Sequence, residues 1–180
     1  MYTEIKRYTY EDYEKLPEGS AYQLINGELI MSPSPTIYHQ QILTKILILL
    51  SGYVEKNNNG IILPSPVDVY FEEHEAYQPD IIFISRERAG IIKEKRIEGA
   101  PDLVIEILSE GTAYYDLKHK KNVYEKYGVK EYWIVDPMDR SIETYFNDGA
   151  KFNLLDKKES KGEIKSKVLD GLKIELEKIF

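Results

Sequence analysis

The chain has 180 residues, 42% of them apolar, which is enough for one domain, 1–180, with a real hydrophobic core. It has no cysteine, which excludes a disulfide framework, a thiolate metal site and a thiol nucleophile, and fits a cytoplasmic compartment. With 24 basic and 31 acidic residues, its net charge of −7 argues against strong non-specific binding of nucleic acid over the whole surface. The polar start, Met1 to Arg7, does not read as a secretory signal, and the run Ile46-Leu47-Ile48-Leu49-Leu50 is far too short to cross a membrane.

In chain order, Thr9 and Asp12 form a capping-box pattern that predicts a short helix ending by Pro17. Tyr22-Gln23-Leu24-Ile25 and Glu28-Leu29-Ile30-Met31 flank Asn26-Gly27, a strong signal for a two-residue hairpin. A stiff Ser32-Pro33-Ser34-Pro35 loop precedes a helix from Thr36 to about Lys56. That helix has a broad apolar face of Ile42, Leu43, Ile46, Leu47, Leu49, Leu50 and Tyr53. Val67, Val69 and Phe71 alternate with Asp68 and Tyr70 as in a half-buried strand, while 80–84 and 103–108 read as central strands. The charged segment from Arg86 to Glu98 between them reads as a surface helix or loop. Thr112 to Tyr127 predicts a helix closed by Gly128, followed by a strand at 132–135 and a hairpin around Asn147-Asp148-Gly149. Short β-like pieces complete the tail. The order predicts a mixed α/β domain.

Two carboxylates stand inside the apolar runs: Asp80 in Pro79-Asp80-Ile81-Ile82-Phe83-Ile84, and Glu106 in Leu103-Val104-Ile105-Glu106-Ile107-Leu108. Buried charge is costly unless it is paired or holds a metal. Two such acids suit a hard cation, Mg²⁺ or Mn²⁺. The bland alternative for Asp80 is a strand-start carboxylate satisfied by backbone N–H groups. Glu106 lies three residues, roughly 10 Å, before the end of its strand near Ser109. Returning along the next helix from near Ala113, Lys120 is again roughly 10 Å on, so it can lie level with Glu106. Asp116, Lys120 and Tyr124 follow i, i+4, i+8 spacing and share a helix face. The alternative for Lys120 is a snorkelling side chain or an ion pair with Asp116.

Gln78-Pro79-Asp80, the 103–109 run, Asp116-x-x-x-Lys120-x-x-x-Tyr124, Gly128 to Pro137 and Tyr22 to Glu28 together resemble the bacterial putative restriction endonuclease family of the PD-(D/E)XK nuclease superfamily. The resemblance implies a restriction-endonuclease-like central mixed sheet flanked by helices, with additional β-hairpins. It implies hydrolysis of phosphodiester bonds, in DNA, with Mg²⁺ or Mn²⁺ held by Asp80, Glu106 and the backbone carbonyl of Ile107. The superfamily's lysine usually stands two positions after the second acid, where this chain has Leu108; Lys120 matches the place to which the family moves it. His39 and Glu28 also match the family pattern as accessory groups, each with a bland alternative: a packed histidine and an exposed hairpin residue. Asp68 reads as a surface or cross-strand partner. Residues 93–96 and Lys118, Lys120, Lys121, Lys126 and Lys130 are candidate phosphate contacts, or simply solvated faces. A homodimer is the default for an enzyme that cuts both strands of a duplex. The rival reading is a nuclease-fold module that binds nucleic acid or protein without efficient cleavage. The catalytic reading requires Asp80 and Glu106 to face the same side of the sheet.

Overall fold

The computed structural model describes residues 7–17, 19–109 and 115–180, with no side chain given for 115–117. Thr9 caps α1 (Tyr10–Tyr13) with both halves of the capping box in place, and the helix ends sooner than Pro17. β1 (Tyr22–Ile25) and β2 (Glu28–Met31) pair across Asn26 and Gly27, whose φ angles of 50° and 76° match the tight hairpin the sequence predicts.

Thr36 caps α2 (Ile37–Asn57), accepting the His39 backbone N–H at 3.1 Å, and Asn58 ends it in the left-handed region. Ile42, Ile46, Leu50 and Val54 recur every fourth residue along its buried stripe, each contributing about 1.5–3 kcal/mol by leaving water.

The strands that follow are β3 (Gly60–Pro64), β4 (Val69–Glu72), β5 (Glu75–Tyr77), β6 (Ile81–Ser85), β7 (Ile97–Glu98) and β8 (Leu103–Ile107). β3, β5 and β7 are not legible in the sequence: each is short, and none shows a clear alternation. The charged segment opens as a 3₁₀ turn, Arg86–Ile91. Of the helix expected from Thr112, residues 112–114 lie outside the described residues. The rest is a π-helical turn, Tyr115–Lys120, running into α3 (Lys121–Tyr127), which Gly128 closes at φ 82°. β9 (Glu131–Asp136), β10 (Ser141–Asn147) and β11 (Phe152–Glu159) form an antiparallel meander, and β12 (Glu163–Lys165) pairs with β13 (Lys173–Glu175).

The larger sheet has the order β11-β10-β9-β8-β6-β3 and is antiparallel except for the β8–β9 pair. The near-continuous apolar strands β6 and β8 are interior, as expected for runs buried on both faces. Ile81, Phe83, Ile105, Ile107, Trp133 and Val135 pack on one face, against α2 and the C-terminal segment. Ile82, Ile84, Val104, Tyr132 and Ile134 pack on the other, against α3 and the smaller sheet, β2-β1-β5-β4-β7.

Gly60 opens β3 where backbones crowd: a Cβ there would stand 2.3 Å from the Ile84 carbonyl oxygen and 2.5 Å from the Phe83 ring. Gly60→Ala is therefore expected to lower stability by about 1–3 kcal/mol in urea unfolding. No helix among the described residues is long and apolar enough to cross a membrane.

Candidate active site

The site forms where β6 begins and β8 ends. In the antiparallel β6–β8 pair Ile81 stands opposite Ile105, so one step further Asp80 stands opposite Glu106. The backbone remains extended to that point, since Ser65 N–H donates to the Asp80 carbonyl at 2.9 Å, continuing the β3–β6 ladder. Directly opposed residues project to the same face, with Cβ atoms about 4.5–5.5 Å apart. The two carboxylates thus meet the requirement set by the sequence. They share the wall of a cavity of about 580 Å³ with His39, Lys120, Gln78 and Ser109.

Glu106 is 3% exposed. Its Oε1 accepts both the Lys120 ammonium at 2.9 Å and the Tyr124 hydroxyl at 2.6 Å. Lys120, 4% exposed, is the last residue of the π-helical turn and Tyr124 lies one turn on, so one helix edge delivers both donors. Asp80 is the more open carboxylate; its Oδ2 accepts the Ile107 backbone N–H at 2.8 Å. That is the backbone bond foreseen in the bland reading, and it also fixes the carboxylate beside Glu106. His39 comes from the opposite layer, where the first turn of α2 reaches round the sheet end. Its Nε2 lies 3.1 Å from the Ile107 carbonyl and 3.4 Å from Asp80 Oδ2. The shorter contact makes Nε2–H a donor to that carbonyl.

The structure does not gather every candidate. Glu28 is exposed at the hairpin turn opposite Ile25, and Ser32, the nearest cavity residue on its strand, is about 13 Å farther along. Its family-derived accessory role gains no geometric support. The side chain of Asp116 lies outside the described residues. Asp68 accepts Tyr13 hydroxyl and Gln78 Nε2, each at 2.9 Å, as the partner role expected of it. Among the lysines, Lys130 pairs with Asp102 at 2.6 Å, Lys126 with Glu72 at 3.3 Å, and Lys121 sits over the Tyr145 ring at 3.3 Å. Each of these three cations is already matched to an acid or a ring.

Two glutamines went unassigned in the sequence. Gln23 Oε1 accepts the Gln78 N–H at 3.0 Å and its Nε2 donates to Ser32 Oγ at 2.8 Å, tying the proline loop to the strand leading into Asp80. The available signal was a polar residue inside the apolar run 22–25. Two further carboxylates are as buried as Glu106. Asp102 accepts Ser85 N–H at 2.8 Å and pairs with Arg88 and Lys130; burial acts against its charge, but these donors outweigh it and hold the carboxyl below its ordinary range. Glu131 binds the C-terminal segment on the other face of the sheet.

The donor set at the cavity is hard oxygen: two carboxylates in register and the adjoining Ile107 carbonyl. Among the described residues no three His, Cys, Asp or Glu side chains cluster closely enough to hold a metal by themselves. Carboxylate and carbonyl oxygens are the donors that a hard divalent cation takes.

A mixed sheet carrying paired carboxylates at a strand end, with a lysine returned by the following helix, is consistent with the restriction-endonuclease-like fold of the PD-(D/E)XK superfamily. The model of the Uma2 family, described as "Putative restriction endonuclease", matches residues 10–177, and the chain belongs to that family. A solved structure, described as a putative nuclease belonging to DUF820 from Anabaena variabilis, superposes with a TM-score of 0.79 at 22% identity, covering 96% of this chain and 97% of that one. It is similar in fold. A search of curated proteins finds no match.

Proposed function

We propose that this protein is a divalent-metal-dependent endonuclease that hydrolyses phosphodiester bonds in DNA. The observation that carries this reading is the placement of Asp80 and Glu106 in register on one sheet face, with Lys120 bonded to Glu106 inside the same cavity. Asp80, Glu106 and the Ile107 carbonyl would hold Mg²⁺ or Mn²⁺. When bound, such a cation neutralises charge on the phosphate and lowers the pKa of a coordinated water.

The chain's own residues supply the rest. The Lys120 ammonium, fixed by Glu106, places a positive charge at the cavity wall, where it can orient the attacking water or balance charge that develops on the phosphate. Tyr124 fixes the Glu106 carboxylate by a hydrogen bond to Oε1. His39 anchors the Ile107 carbonyl and stands against Asp80, so it is a positioning residue for both oxygen donors. Leu108, at the place where the superfamily carries its lysine, supports the rival reading of a binding module without efficient cleavage.

Purified wild type is expected to cleave DNA only with Mg²⁺ or Mn²⁺, and to bind Mn²⁺ in calorimetric titration. Asp80→Ala is expected to lose both, with cleavage down by about 10³-fold or more. Mn²⁺ binding without cleavage selects the binding module, and equal cleavage by wild type and Asp80→Ala removes the metal mechanism.

A further inference from the structure

A second cavity, of about 1050 Å³, adjoins the one over Asp80 and Glu106. The two share a wall made by residues 32–35, Pro66 and Gln78. The far cavity is also lined by residues 93–97, which carry Lys93, Lys95 and Arg96 and do not line the site cavity. Lys93 and Lys95 are exposed. Lys93 Nζ donates to the Gly90 carbonyl at 2.7 Å, and Arg96 is held by Glu98 at 2.8 Å and by the rings of Tyr10 and Tyr70. Basic residues thus line one of the two adjoining cavities and the carboxylate–lysine site lines the other. Glu14, Asp68 and Glu94 also line the far cavity, and Asp68 is occupied by Tyr13 and Gln78.

From this arrangement, and resting on the nuclease reading above, we infer that the substrate is a single strand of DNA. It lies along both cavities with its cleaved phosphate over Asp80 and Glu106 and a more distant phosphate on Lys93 and Lys95. Two observations favour one strand over a duplex. A duplex is held by many phosphate contacts, whereas this chain has a net charge of −7 and keeps Lys121, Lys126 and Lys130 in structural pairs. The site cavity is also lined by Tyr38, 40% exposed, a ring on which an unpaired base can stack.

The test is fluorescence anisotropy with labelled oligothymidylate, a hairpin duplex of equal length and oligouridylate, each with Ca²⁺ replacing Mg²⁺. Wild type is expected to bind oligothymidylate about tenfold more tightly than the duplex. K93E/K95E should lose about tenfold on oligothymidylate and lower the salt slope by about 1.4, two contacts at about 0.7 each. Tyr38→Ala should lose about fivefold or more. Duplex binding equal to or tighter than single-strand binding, or unchanged affinity in K93E/K95E, overturns the inference. Tighter binding of oligouridylate overturns the assignment to DNA. Mn²⁺ titration of the same samples separates the two readings: K93E/K95E should bind Mn²⁺ as wild type does. Absence of Mn²⁺ binding in wild type rejects the metal site while the anisotropy still reads the groove.

Discussion

Glu106→Leu is expected to abolish metal-dependent cleavage and also to cost about 3–5 kcal/mol of stability, because it leaves the Lys120 ammonium buried without its carboxylate. The Tyr124 hydroxyl loses the same acceptor. If the stability loss comes from stranded donors, removing them restores it: the triple variant E106L/K120M/Y124F should come within about 2 kcal/mol of wild type in urea unfolding, since a buried ion pair is often replaced by apolar residues at little cost. Cleavage and Mn²⁺ binding should remain absent in the triple variant, down by about 10³-fold or more. A triple variant that is stable and still cleaves would show that the buried triad only braces the fold. One that stays as unstable as E106L would show that Glu106 does more for packing than the Lys120 and Tyr124 bonds explain.

Glu131→Ala should lower stability by about 3–5 kcal/mol for a different reason. Its carboxylate is fully buried and accepts Trp133 Nε1 at 2.6 Å, Ser166 Oγ at 2.9 Å, and the backbone N–H groups of Lys167 and Val168 at 2.8 and 2.9 Å. Truncation leaves four donors without that acceptor, and those of Trp133 and Ser166 are buried. Trp133 is the only tryptophan, so its fluorescence reports the transition directly, as a lower urea midpoint with little change in slope. Burial is the larger influence on this carboxyl and pushes it above its ordinary value of 4.5, against the pull of its four donors. The folded state therefore holds that proton more tightly than the unfolded chain. Stability from this group falls as pH rises from 4.5 through the folded value. Glu131→Gln cannot titrate and should lack that slope. Mn²⁺ binding should persist in folded Glu131→Gln, because residue 131 lies at the opposite end of the sheet, on its other face.

Local signals in the chain were specific where they were chemical. Asn26-Gly27 determined its hairpin, because only a turn with two positive φ angles suits strands so closely spaced. Thr9 with Asp12, Thr36, Asn58 and Gly128 set helix ends because each meets a backbone group that a helix leaves unpaired or adopts the left-handed conformation. The apolar runs of β6 and β8 were legible as interior strands. β3, β5 and β7 were not, because each is short and shows little pattern of its own.

For the site, the sequence by itself determined that carboxylates stand inside apolar strands and that helical spacing puts Lys120 and Tyr124 on one edge. It could not separate Glu106 from Asp102 or Glu131, since an acid next to an apolar run has the same appearance whether it faces a cavity or fastens a loop. Tertiary structure decided that. The β6–β8 register puts Asp80 opposite Glu106, and the π-helical turn and α3 bring Lys120 and Tyr124 onto Glu106. On β9, Glu131 turns to the other face and meets the C-terminal segment. The physical reason is the two-residue period of a strand: shifting a pairing by one residue changes which face each acid takes, and only the folded sheet fixes that register.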